Sequence, residues 1–332
     1  AMNISGQAWQ EIEAQLSGNM NNLRAQTNAA MDFGKLKIDI SAAGANQNWK
    51  GQLQSFQFAP RLGEAWTLQA PANYQLANGS IRLDKTCLRT GSSAQLCANA
   101  NGNAGRIEGR ELPLSLLDPW IREKMPDQNY LPYGVVNLEG NFARGNTGAW
   151  NGDIALLSSA GGLRLNTRVN RDVISYSDLN FDIKLIGERI DMRLDALLPE
   201  AGAITGELQT GFNEFAPLKG KLSLNVQQLT WLELMSPDLA DPQGKLVGQL
   251  LFSGTRTVPN ISGDARLNQF SAELPGLGIK ITEGDITLQG EPGGMARVNG
   301  VLSSGKGKLQ INGSLDLADK NSPLQVTLKG EN

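Results

Sequence analysis

Histidine is missing altogether from the 332 residues. That absence removes Ser-His-Asp and Cys-His nucleophilic chemistry and the usual zinc ligand sets in one step. Catalysis would have to rest on carboxylates, lysine or tyrosine. The acidic pairs on offer, such as Glu11 and Glu13, fall on the polar parity of strand-like segments rather than in a cleft. No catalytic residue, no cofactor and no metal site is therefore expected, and the protein reads as a non-enzyme.

Large rings are scarce as well. Phe, Trp and Tyr make up 6% of the chain, beside 38 Gly and 14 Pro. A compact enzyme of this size needs more ring volume to fill its core, so the interior is expected to be thin or hollow. Charge of either sign is never concentrated: 30 basic and 33 acidic residues give a net charge of −3. Without a basic stripe, nucleic acid is not an expected partner. The longest apolar runs fall far short of the ~20 residues a membrane helix needs. The opening Ala1-Met2 carries no leader with an apolar core, so the piece reads as one cut from a longer protein.

Cysteine occurs only twice, as Cys87 and Cys97, flanking Gly91-Ser92-Ser93. The alternation of Ile81 and Leu83 runs into the first of them, so a hairpin would set the thiols opposite each other. A disulfide there, contributing about 3 kcal/mol, implies an oxidising compartment; the alternative is a pair of reduced core cysteines.

What the chain does have is alternation. From Gly244 to Leu288 apolar residues fall at every second position and break only at turn residues. Leu246, Leu250 and Phe252 share one parity, as do Ala265 and Leu267, Ile279 and Ile281, and Ile286 and Leu288. A period of two puts them on one side of a strand, with Lys245, Gln249, Arg266 and Asp285 on the other. The same pattern picks out Leu222, Leu224 and Val226, then Leu309 and Ile311, and finally Leu324, Val326 and Leu328. Together these residues form the expected apolar lining.

The pattern also repeats. Gly134–Leu156 matches the stretch from Gly244 at an offset of 110 for the leading glycines (244 − 134), and each copy follows a short apolar segment, one from Leu112 and one from Leu229. Asp118-Pro119 is a helix start, with Trp120, Ile121 and Met125 on one face, and Trp231, Leu232 and Met235 suit a second helix; the alternative for each is a surface turn with a packed Trp. Three units are read in one continuous sheet spanning 1–332: about 3–111 with the cysteine hairpin, 112–228 and 229–332. Asn78-Gly79 predicts a type I′ hairpin turn. Residues Ser5–Asp32, rich in Ala and Gln, are read as two strands because Ile12, Ala14 and Leu16 alternate. The run Gly300–Gly307 is a near miss to a phosphate loop, lacking the final Ser or Thr, and predicts a hairpin.

These features together resemble the TamB-like proteins of the AsmA-like group, a set similar in design to bridge-like lipid transfer proteins. The resemblance is carried by WKGQL from Trp49, WTLQAPANYQL from Trp66, CLRTGSSAQLC, LPLSLL, and WLELMSPDLADPQGKLVGQLLFSGT. It implies an elongated, U-shaped all-β sheet, the β-taco, with an apolar concave face and, here, two short helical insertions. It further implies a parent protein anchored in the inner membrane and lying in the periplasm of Gram-negative bacteria. Such proteins move phospholipid between the two membranes and assist outer-membrane protein assembly with the barrel TamA. On that reading the groove's ligands are phospholipid acyl chains. Two other classes fit the composition: a carbohydrate-active or adhesive parallel β-solenoid, which predicts coils of about 20 to 30 residues, and a purely structural spacer.

Overall fold

The computed structural model describes residues 2–4, 7–31, 33–91, 93–124, 130–145, 148–165, 171–234, 238–291, 295–316 and 324–331. It divides into two compact units, Ala1–Leu157 and Ser158–Asn332. Alternating sequence becomes antiparallel sheet in both.

In the first unit β1 (Met2–Ile4), β2 (Gln7–Asn19), β3 (Asn22–Met31), β4 (Gly34–Ala45) and β5 (Asn48–Pro60) each pair with the next. The Ala- and Gln-rich opening thus folds as a hairpin, because a two-residue turn at Met20-Asn21 lets Ile12, Ala14 and Leu16 lie opposite Ala29, Thr27 and Ala25. β5 pairs with β6 (Trp66–Leu68) and β7 (Ala72–Ala77), and both pair with β8 (Ser80–Thr90). Asn78 and Gly79 both have positive φ, 50° and 77°, the geometry a type I′ turn requires. From β8 the sheet continues through β9 (Ala94–Gly102), β10 (Ala104–Pro113), β11 (Tyr130–Arg144) and β12 (Trp150–Ser158).

The second unit opens with the pair β13 (Gly161–Leu165) and β14 (Arg171–Tyr176). Then β15 (Asp178–Gly187), β16 (Arg189–Leu198), β17 (Gly202–Gly211), β18 (Lys219–Gln228), β19 (Ala240–Gly254) and β20 (Pro259–Leu274) follow hairpin by hairpin. β20 pairs with the short β21 (Ile279–Ile281) and with β22 (Glu283–Gly290), after which come β23 (Met295–Ser304), β24 (Gly307–Asp316) and β25 (Leu324–Glu331). The Gly300–Gly307 run is the β23–β24 hairpin, closed by Ser304 opposite Gly307. Among the described residues every one of these strand pairs is antiparallel, which sets aside the coils of a parallel solenoid.

The two expected helical insertions are not found as stated. The first segment is a 3-10 turn, Leu114–Leu117, running into a seven-residue α-helix, Asp118–Lys124. Among the described residues the second is a 3-10 turn, Thr230–Leu234, which follows a buried Leu229 and precedes the start of β19 at Ala240. Met125 and Met235, read as parts of those helical faces, lie outside the described residues.

Repeated sequence also gives repeated local structure. β11 and β19 are each 15 residues long and carry a left-handed glycine at the fifth position, Gly134 with φ 105° and Gly244 with φ 138°. A side chain is disfavoured at that conformation, so glycine marks both places.

Candidate functional site

In an antiparallel ladder directly paired residues project to the same side of the sheet. The register of the second unit therefore collects the alternating apolar residues into rows that cross the strands. Val226, Leu246, Leu267 and Ile286 pair in succession over β18, β19, β20 and β22, and the row continues through Gly300, Ile311 and Leu328. A second row runs Leu224, Gly248, Ala265, Leu288, Val298, Gly313 and Val326. Leu222 faces Leu250, and Phe252 faces Ile261. Leu309 pairs with Leu302, and Leu324 with Leu315.

Small residues punctuate these rows. A Cβ built on Gly248 would lie 2.5 Å from Ala265 Cα, and one on Gly300 would lie 3.0 Å from Ile286 Cγ1. Neighbouring strands and side chains lean over the glycines, which is possible only where no side chain stands in the way.

Coverage of the rows is graded. Leu229, 1% exposed, anchors a packed cluster with Val226, Phe270, Ala272, Ile281, Leu302 and Ile311. Leu250, Ile261 and Ala265 form another, against which Leu222, Leu246, Phe252 and Leu288 pack half-buried. Leu224, Leu267, Ile286 and Leu309 are also half-buried. Ile279 and Ile281 share a parity yet differ: Ile281 is buried within the Leu229 cluster, whereas Ile279 is 38% exposed at the far end of the three-residue β21. Val326 and Leu328, on β25, are 45% and 58% exposed. The Leu324 side chain lies outside the described residues.

Sequence reasoning missed Phe270 and Ala272. Gln269 takes a positive φ of 53° and β20 slips register beside it, so the inward parity changes from odd to even. Nothing in the alternation marks such a bulge in advance.

The opposite face carries water-loving ladders. Asp182, Arg193, Glu207 and Lys221 pair in turn over β15 to β18, alternating in sign. A hollow of about 970 Å³ lies over them, lined also by Lys184, Asp191 and Lys219. In the first unit a hollow of about 500 Å³ is likewise polar, with Lys50, Gln52, Asn73 and Asp84 among its walls. Hydrogen bonds from Arg24 and then Gln26 hold the Asp39 carboxyl below the usual carboxylate range. A hydrogen bond from Lys85, with the nearby Arg106 charge, does the same for Glu108. Glu273 raises Lys280. These shifts arise from exposed ion pairs, not from burial in a cleft, so they describe a solvated surface rather than a poised acid or base.

The first unit has its own apolar cluster, with Trp66, Ala94 and Leu112 buried and Phe58, Leu88, Leu96, Val136 and Leu138 packed around them. Cys87 and Cys97 stand directly opposite each other on β8 and β9 and are joined in a disulfide. Asp118, 2% exposed, accepts from Arg61 and, at 2.9 Å, from Arg122. Among the described residues no three His, Cys, Asp or Glu are grouped to hold a metal ion, and no helix is long and apolar enough to cross a membrane.

Residues 1–267 match the protein family described as TamB, N-terminal domain. A curated relative, the translocation and assembly module subunit TamB of Haemophilus influenzae, is 23% identical over 255 residues, covering 73% of this chain and 19% of the relative. The chain thus spans about a fifth of that relative's length. No solved structure matches.

Proposed function

The chain belongs to the TamB family, and from that premise we propose that its apolar rows form a track for the acyl chains of phospholipids passing between the inner and outer membranes. In this reading the sheet curls into a U-shaped trough with the rows on its concave side. The parent protein is anchored in the inner membrane, lies in the periplasm, and works with the outer-membrane barrel TamA in outer-membrane protein assembly. The role is passive conduction, with no bond made or broken.

The observation that carries the proposal is the lateral register. Val226, Leu246, Leu267 and Ile286 align across four strands, so hydrocarbon contact continues from strand to strand instead of ending with each hairpin. Passing a 16-carbon chain through water costs roughly 12 kcal/mol at ~0.8 per methylene. A continuous aliphatic row removes most of that barrier. Glycines within the rows relieve the bulk that would keep the sheet flat, and the Cys87–Cys97 bond suits an oxidising compartment such as the periplasm.

Photoreactive residues at Leu222, Leu246 and Leu288 test the proposal in cells. They should crosslink to phospholipid, whereas Gln249 and Asp285 on the other parity should not. Equal labelling from both sets would sink the track.

A further inference from the structure

The first unit contains a hollow that the track does not use. Its volume is about 360 Å³, and Phe33, Phe58, Pro60, Leu62, Leu116 and Leu117 supply its apolar walls. The rings of Phe33 and Phe58 meet at 6.1 Å between centroids, and Phe58 also packs against the Trp66 cluster. Leu116 and Leu117 are 39% and 50% exposed, so the hollow is open to solvent along the 3-10 turn. Where its wall turns polar the residues are Arg61, Ser115 and Asp118.

Among the described residues two guanidiniums, that of Arg61 in the hollow's lining and that of Arg122 just outside it, share the one carboxylate of Asp118. Both arginine side chains are 38% exposed. A guanidinium has five N–H donors, and the bonds to Asp118 use only part of each set. Asp118 fixes the two forks in place before any ligand arrives, which lowers the ordering cost of binding one.

We propose that this hollow is a headgroup-reading subsite, taking part of one acyl chain of a phospholipid against Phe33, Phe58 and Leu62 while the phosphate lies on Arg61 and Arg122. Apolar walls beside a forked cation match an amphiphile with an anionic group at the end of a hydrocarbon, and arginine forks match phosphate oxygens in pairs. The volume lies at the small end of ligand pockets, enough for a segment of chain rather than a whole lipid. The inference rests on the track reading, which supplies the lipid.

The test uses the full 332-residue chain with two diazirine-bearing probes in nonionic micelles, phosphatidylglycerol and diacylglycerol, followed by peptide mapping. Phosphatidylglycerol should label the Leu114–Leu117 turn about tenfold more than diacylglycerol does, the size expected for losing charged hydrogen bonds. Arg61→Gln should erase that ratio. Leu62→Trp fills the hollow but keeps the ion cluster, so it should abolish labelling of the turn and leave labelling of Leu246–Leu288 unchanged; this variant decides the matter should Arg61→Gln fail to fold. Labelled track with unlabelled turn overturns the subsite alone. Equal labelling of the turn by both probes overturns its recognition of phosphate. No labelling at either place removes the track reading and the subsite with it.

Discussion

Asp39 accepts from both Arg24 and Gln26, and this arrangement sets its acid behaviour. Its folded-state carboxyl is held low by those donors. The stabilisation that results is present above the unfolded carboxylate range and is lost as pH falls through the folded value. A carboxyl-resolved NMR titration should find the Asp39 midpoint below the ordinary aspartate value, and Arg24→Gln should move it upward. Gly248 is a residue of another kind, with Ala265 already occupying the place of a side chain. Gly248→Val should cost about 1 to 3 kcal/mol in urea unfolding through overpacking. Gly276→Ala enters open space and should stay within about 0.5 kcal/mol.

At the scale of elements, the β8–β9 hairpin is stapled by the only two cysteines in the chain. Replacing both with alanine should lower the stability of the first unit by about 3 kcal/mol in the chain-entropy account, read as a shift in its urea midpoint. The staple was legible in the sequence from the turn at Gly91 between two strand-like segments, which leaves the thiols face to face; the bulge between Leu83 and Thr86, which takes Cys87 off the parity of Ile81 and Leu83, was not. Alternation likewise located the long strands, and Asn78-Gly79 announced its own turn. Other features were hidden for physical reasons. The bulge at Gln269 depends on a backbone angle that no residue type dictates. Leu229, just before the 3-10 turn, is buried with Phe270, Ala272 and Ile281, distant neighbours that helical spacing does not report. Exposure of Val326 and Leu328 follows from their place on β25, and the period of two places residues on a side without saying how deep that side lies.

For the whole molecule the graded coverage of the rows decides where to interrupt them. Ile281, 4% exposed inside the Leu229 cluster, would report stability if changed to a charge. Leu288 is half-buried in the middle of its row, so Leu288→Arg should obstruct lipid while leaving the strand paired. Phospholipid retained by the purified variant, counted by native mass spectrometry, should fall several-fold with an unchanged far-ultraviolet β spectrum; undiminished lipid would count against passage along this row. The ladder of Asp182, Arg193, Glu207 and Lys221 on the opposite side has a quieter effect. Charges that reverse sign from strand to strand, at ~4.8 Å spacing, produce a field that dies away well inside the ~8 Å screening length of physiological salt. Seen from a bilayer a nanometre away, that flank is electrically silent, neither clinging to acidic headgroups nor being pushed off by them.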